Sequence, residues 1–236
     1  LSREELAKAD FLQHYMQHTL GWKVERVGNN LIAYAFGYDQ TKPTLLLNSH
    51  IDTVKPRDSW TKDPFAAQQD GDCIYGLGAN DAHASVVSLM AVFDELRQTN
   101  QGYNLILGIS CEEEVSGKNG VELLLKHLPK IDLAVVGEPT GLEMAIAEKG
   151  LMVVDCVAHG KAGHAARNEG VNALYKALDD INWCRNYQFE KVSPMLGEVK
   201  MTVTMIEAGS LHNVIPDQCK FTADIRLTEC YTHQEV

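Results

Sequence analysis

Four stretches of the chain place metal-type side chains at the edge of an apolar run. His50 and Asp52 stand in Asn-Ser-His-Ile-Asp-Thr-Val, directly after the apolar residues 44–48. Glu112, Glu113 and Glu114 follow residues 105–109, and Glu138 follows residues 133–136 in Val-Val-Gly-Glu-Pro-Thr. Asp81 precedes an apolar-patterned stretch over residues 84–96. One imidazole with several carboxylates and no cysteine suits a divalent cation that accepts oxygen ligands, such as Zn²⁺, Co²⁺ or Mn²⁺. Two such ions about 3.5–4 Å apart need a bridging carboxylate and terminal ligands on either side. One glutamate must then stay off the metals to serve as a general base.

Each piece has an ordinary reading when taken alone. His-x-Asp after a strand is a common loop pair, an aspartate before a helix is a common N-cap, consecutive glutamates usually form a solvated face, and Glu138 in a Gly-Glu-Pro turn is simply exposed. Carboxylates crowded at the end of a buried strand, however, repel one another unless a cation or protons intervene. Four coincidences at the ends of successive elements favour one shared site.

The elements that would position these residues follow from the hydrophobic pattern. Residues 44–48, 105–109 and 133–136 are short continuous apolar runs, which suit strands buried on both faces of a mainly parallel sheet. Between the first two, Val86, Val87, Leu89, Met90, Phe93 and Leu96 recur at helical spacing, and residues 121–127 form a shorter helical pattern. Residues 3–20 predict an opening helix from Leu6, Phe11, Leu12, Tyr15 and Met16. Strand, helix, strand, helix, strand is the order of a doubly wound α/β domain, in which ligands collect at the carboxyl ends of the strands. Near Gly150 the texture changes. Residues 173–184 are amphipathic, residues 198–205 alternate strictly (Val199, Met201, Val203 and Met205 against Lys200, Thr202 and Thr204), and residues 221–227 predict a further strand. Alternation marks a sheet with one wet face, so the expected division is an α/β domain over 1–149 and a smaller α+β domain over 150–236.

Composition narrows the function classes. A formal net charge of −11 with no Lys/Arg-rich run opposes nucleic-acid binding. No stretch approaches 18 apolar residues, so no membrane-spanning helix is expected, and the first residues lack the apolar core of a secretion signal. The six cysteines are scattered without a Cys-x-x-Cys pair, which fits free thiols in a reducing cytoplasm better than a disulfide framework. Gly76-Leu-Gly78 hints at a nucleotide loop, but Asp81 occupies the place of the third glycine, where a carboxylate would repel phosphate.

Taken in order, His50-Ile-Asp52, Gly76-x-Gly78-x-x-Asp81, Glu112-Glu113-Glu114, Gly137-Glu138-Pro139-Thr140, Gly160-Lys-Ala-Gly-His164 and Asn213-Val-Ile-Pro216 resemble the co-catalytic zinc amidohydrolase family of acetylornithine deacetylase, succinyl-diaminopimelate desuccinylase, glutamate-releasing carboxypeptidases and aminoacylases. The resemblance covers most of the chain. It implies a zinc-peptidase-like fold with a lid domain that dimerises, and two divalent ions, zinc with cobalt or manganese as alternatives. His50 and Glu138 would share the first metal, Asp81 would bridge, Glu114 would hold the second, and Asp52 would orient His50. Glu113 would be the general base. His164 would be donated across a homodimer to stabilise the oxyanion, and Asn213 and Arg226 would contact the substrate carboxylate, with a structural salt bridge as the rival reading for Arg226. The implied substrate is a small N-acyl amino acid. Glu148-Lys149-Gly150 and the Gly-Glu-Pro-Thr turn lean toward the acetylornithine deacetylase branch; desuccinylation, dipeptidase-like activity and a metal-binding inactive relative stay open. Two departures stand out. Where the family usually has Met-Lys-Gly after the bridging aspartate, this chain has Ala82-His83-Ala84. The family's final metal histidine lies in a segment that returns after the lid, and the chain stops at residue 236 before reaching one; with an amino end short of the usual first helix, the expectation is a piece of a longer protein.

Overall fold

Three apolar runs become adjacent parallel strands in a computed structural model, which describes residues 1–35, 37–99, 101–167 and 169–236. The chain forms two compact units, Leu1–Glu143 and Met144–Val236, a division slightly upstream of the expected break.

The first unit opens with α1 (Leu6–His14), continued by a wide helical turn over Tyr15–Thr19. A hairpin follows, β1 (Val24–Val27) and β2 (Asn30–Tyr34), closed by Gly28 and Asn29 with Gly28 at φ +62°. Glycine is what a tight two-residue turn calls for at its first central position. Then come β3 (Thr44–His50), a small exposed hairpin of β4 (Gln68–Asp70) and β5 (Cys73–Tyr75), α2 (Ser85–Leu96), β6 (Asn104–Ser110), α3 (Val121–Leu125) and β7 (Leu133–Val136). The main sheet has the order β1-β2-β6-β3-β7; β6, β3 and β7 are parallel, whereas β1 and β2 join antiparallel. The fold is therefore α/β with a mixed sheet, less parallel than expected because the β1–β2 hairpin supplies one edge.

Side-chain alternation sorts this sheet into two faces. Leu31, Ala33, Leu47, Leu105, Leu107 and Ile109 pack with Ala9 and Met16 of the opening helical stretch and with Val86, Met90 and Phe93 of α2. Their neighbours Ile32, Leu46 and Ile106 point the other way, against Leu124 of α3. Gly108 lets α3 approach closely, since a Cβ there would lie 2.9 Å from a Leu124 methyl. This double coverage is why residues 44–48 and 105–109 read as unbroken apolar runs. Two expectations are corrected. Residues 133–136 are not buried on both faces: β7 is exposed along its length and pairs only with β3 among the described residues. The opening helix buries Ala9 and Met16 rather than Leu6, Phe11 and Tyr15, which are exposed.

The second unit contains β8 (Gly150–His159), β9 (Gly163–His164), α4 (Ala173–Asn186), β10 (Lys200–Ala208), β11 (Val214–Ile215) and β12 (Gln218–Leu227). β10, β12 and β8 form an antiparallel sheet in that order, and β9 pairs with β11 as a separate ribbon. Strand β12 alternates cleanly, burying Cys219, Phe221, Ala223, Ile225 and Leu227. α4 is capped by Asn172, whose side chain accepts the Leu174 amide at 2.9 Å, and buries Ala173 and Ala177 against Ala158, Cys219 and Phe221. The strict alternation expected through Met205 breaks. A bulge between Val203 and Met205 adds one unpaired residue, and Met205 turns to solvent, as one inserted residue must reverse the facing of all that follow.

Candidate metal centre

His50 ends β3 and is buried. Its Nε2 lies 3.2 Å from Asp81 Oδ1, 3.7 Å from Glu138 Oε2 and 3.8 Å from Glu113 Oε2. His50, Asp81 and Glu114 each offer a ligand atom, all within 4.8 Å of one another. Four chain segments thus deliver one imidazole and four carboxylates to the carboxyl ends of the parallel strands, where an open α/β sheet collects its ligands.

Local geometry explains each approach. Glu113 and Glu114 sit in a single tight turn, Glu113–Val115, after β6. Glu112 precedes it at φ +54° and turns away from the cluster, accepting Asn119 Nδ2 at 2.9 Å and the Asn119 amide at 3.3 Å. The run of three glutamates is thereby split: two reach the site and the first braces its loop. Asp81 does not cap a helix. It sits in extended backbone, φ −110° and ψ 99°, within the irregular turn Ala79–Ala84 that precedes α2. Gly78 of the glycine pair packs tightly under this turn, since a Cβ there would come within 2.4 Å of a Thr53 methyl and 2.7 Å of His83. Its role is steric room beside His83, with no phosphate implied.

Asp52 lies behind the histidine, fully buried. Its carboxylate is 3.3 Å from His50 Nδ1 and accepts Ser2 Oγ at 2.7 Å and the amides of Glu113 and Glu114 at 3.0 and 3.1 Å. Burial alone would raise its pKa, but these four donors hold it well below the ordinary carboxylate range. For His50, burial alone would favour the neutral ring, yet the bond to Asp52 and the charges of Glu138 and Glu113 raise it from 6.5 to about 9. Glu138 is pushed up by burial and, against the attraction of His50, by Glu113, Asp81 and Glu114; Glu114 is pushed up by burial and Asp81. Clustered acids that hold on to protons beside a base that gains one mark a place short of positive charge. The donor set fits divalent cations in that place: neutral Nε2 and carboxylate oxygens are their ligands, and Asp52 fixes the Nδ1–H tautomer that leaves Nε2 as the donor.

The remaining expected residues lie in the second unit. His164 is exposed on β9, where its Nδ1 accepts the Ala166 amide at 3.1 Å. Asn213 directly precedes β11, and its carbonyl accepts the Ala165 amide at 3.0 Å, so the ribbon brings His164 and Asn213 together. Arg226 is not brought to them. It lies eight positions beyond Gln218 on β12, about 26 Å along an extended strand, and its Nε donates to Asp224 Oδ1 at 2.8 Å. Arg226 and Asp224 thus form an exposed ion pair along one strand. Ser2, Glu5 and Lys8, which also touch the site, carry no local signal in the sequence.

All six cysteines are free, and no helix among the described residues is long and apolar enough to cross a membrane. The sequence pattern of peptidase family M20/M25/M40 matches residues 46–225. The chain is 30% identical to a succinyl-diaminopimelate desuccinylase of Dinoroseobacter shibae, over 92% of this chain and 62% of that protein. It is 28% identical to succinyl-diaminopimelate desuccinylase 2 of a Ruegeria species, over 92% and 59%. These relatives carry the desuccinylase name, not the acetylornithine deacetylase name toward which the sequence leaned. The chain spans about three fifths of their length. In fold it is similar to an M20 metallo-carboxypeptidase of Sulfolobus solfataricus (TM-score 0.70, 21% identity, 97% of this chain and 68% of that one). It is also similar to a dinuclear metal-binding M20 peptidase of Bacillus subtilis (TM-score 0.61, 18% identity, 100% and 61%). With the family pattern matched across most of its length, the chain belongs to peptidase family M20/M25/M40.

Proposed function

We propose that the protein is a metal-dependent hydrolase that cleaves the amide bond of a small N-acyl amino acid. The observation that carries this reading is the convergence of Asp81, Glu113 and Glu138 on His50 Nε2 within 3.2 to 3.8 Å. His50 and Glu138 would hold one cation, Asp81 would bridge, and Glu114 would hold the second; zinc suits these donors best, with cobalt and manganese as alternatives. Bound there, the cations would lower the pKa of water toward neutrality and polarise the amide carbonyl. Glu113 takes the proton of the water that adds to the carbonyl carbon and returns it to the nitrogen as the C–N bond breaks. Asp52 keeps the His50 ring oriented throughout. The second unit serves as a dimerising lid, from which His164 of the partner subunit donates to the developing oxyanion and Asn213 contacts the substrate carboxylate.

The names of the relatives favour an N-succinyl diamino acid over N-acetylornithine as substrate. The test is turnover by the full-length protein, loaded with zinc or cobalt, of N-succinyl-diaminopimelate, N-acetylornithine and an unblocked dipeptide. Release of succinate with much weaker action on the other two supports the reading. Absence of hydrolysis of all three by the metal-loaded protein overturns it and leaves a metal-binding relative without this activity.

A further inference from the structure

The opening segment of the chain touches three of the four segments that build the metal centre, those of His50, Asp81 and Glu113. Ser2 Oγ donates to Asp52 at 2.7 Å, and the Ser2 amide donates to the Thr53 carbonyl at 3.1 Å. Glu5, itself buried, accepts the Glu112 amide at 3.3 Å, just before the turn that carries Glu113 and Glu114. Lys8, one turn further into α1, donates from Nζ to the Ile51 carbonyl at 2.7 Å and lies 2.9 Å from His83 Nε2. His83 Nε2 is shared between this ammonium and the Ile51 carbonyl, which lies 3.1 Å away; an ammonium has three donors and no acceptor, so toward Lys8 the ring nitrogen accepts.

Lys8 is the most telling of the three because of what it joins. Ile51 stands between His50 and Asp52, and His83 stands two residues after Asp81. One ammonium therefore bonds to the two segments that carry the imidazole and the carboxylate lying 3.2 Å apart at the heart of the cluster. The two segments also meet directly, where Ser49 Oγ donates to the Ala82 carbonyl at 3.4 Å and His83 Nε2 approaches the Ile51 carbonyl at 3.1 Å. Lys8 bonds to both partners of the second contact and so fixes it from the side of α1. Lys8 is half-buried; burial lowers its pKa below the ordinary lysine value, with Asp52 and Glu5 opposing that shift, and its two short contacts show that the tie is not a loose surface contact. His83, the residue that departs from the family pattern, thereby acquires a role as the other end of this tie.

We propose that Lys8 is a positioning residue for the metal centre: through Ile51 and His83 it sets the spacing between His50 and Asp81. This rests on the metal-centre reading above. Lys8→Met keeps the length of the side chain and removes its donors. In the full-length protein, zinc affinity measured by competition with a chromogenic chelator is expected to fall about 10–100-fold, the usual cost of losing a group that orients metal ligands. The urea-unfolding midpoint of the metal-free protein should stay near that of the wild type. Lys8→Arg, which can still donate to both partners, should recover most of the affinity. His83→Ala cuts the same tie from its far end, so its loss and that of Lys8→Met should not add in the double variant; this coupling also serves as the readout if Lys8→Met proves unstable. Zinc affinity in Lys8→Met within about twofold of the wild type, or fully additive losses in the double variant, overturns the assignment of Lys8. A wild-type protein that binds no zinc overturns the metal-centre reading itself, and that outcome is visible before any variant is made.

Discussion

Asp52 and His50 are joined at 3.3 Å through Nδ1 while the same carboxylate accepts the Glu113 and Glu114 amides. One buried anion therefore sets both the orientation of the central imidazole and the position of the turn bearing two of the acids. Asp52→Asn keeps the shape but offers less charge and one poorer acceptor. Zinc affinity and kcat should each fall about 10–100-fold, as is usual for a group that supports a metal-binding histidine. In the metal-free protein, the His50 titration should move down from about 9, because the bond to Asp52 is the strongest influence opposing burial. NMR titration of the ring checks the second point; an unmoved pKa would show that Glu138 and Glu113 alone sustain the charge.

Glu113 differs from Glu114 in what it should do. Both lie in one turn, but Glu114 belongs with His50 and Asp81 in the group whose ligand atoms share a 4.8 Å neighbourhood. Glu113→Gln should lower kcat about 10²–10⁴-fold, the range for loss of a general base, while metal content by elemental analysis stays close to the wild type. Glu114→Gln should instead release metal. Extensive metal loss from Glu113→Gln would reassign that residue as a ligand.

Much of this site is legible in the sequence because burial on both faces forces β3 and β6 into unbroken apolar runs, and the runs point at His50 and the glutamates that follow them. What escapes the sequence is of a different kind. The β1–β2 hairpin had a signal, Gly28-Asn29 between two strand-like stretches, that composition alone leaves easy to pass over. The division of labour among Glu112, Glu113 and Glu114 depends on one left-handed backbone angle at Glu112, which no pattern of charges encodes. The bulge at Thr204 reverses the facing that alternation predicts up to that point. Ser2, Glu5 and Lys8 reach partners across 43 to 107 residues of sequence, and such pairings are set by topology.

His164 and Asn213 meet in the β9–β11 ribbon of the second unit, whereas Glu113 belongs to the first. If His164 serves the partner's centre in a homodimer, neither Glu113→Gln nor His164→Ala should turn over alone. Dissociated and reassociated together, the two inactive full-length variants should form mixed dimers in which one centre has both residues intact. Random pairing puts half of the dimers in the mixed state with one good centre of two, so activity should return to about a quarter of the wild type. No recovery upon verified subunit exchange would place His164 in the service of its own chain's centre or outside catalysis.

Cys111 and Cys73 offer a contrast in thiol chemistry that reports on the loop behind the acids. Cys111 is buried immediately before Glu112, and its Sγ lies 3.4 Å from the Asn119 carbonyl. Burial, followed by the negative charges of Glu5, Glu112 and Asp52, pushes its thiol up to about 12. At pH 8 almost none of it is thiolate, and the thiolate is the reactive form. Cys73 is exposed on β5. Iodoacetamide should therefore modify Cys73 in the native protein and reach Cys111 only when denaturant opens the fold, as read by peptide mass spectrometry. Native-state labelling of Cys111 at a rate close to that of Cys73 would mean that the loop between β6 and α3 opens readily. The close fit at Gly117 and Gly120, where a Cβ would lie 2.0 Å from Glu112 Oε2 and 2.1 Å from the Cys111 carbonyl, argues that it stays shut, because packing this tight leaves no room for the reagent without displacing backbone.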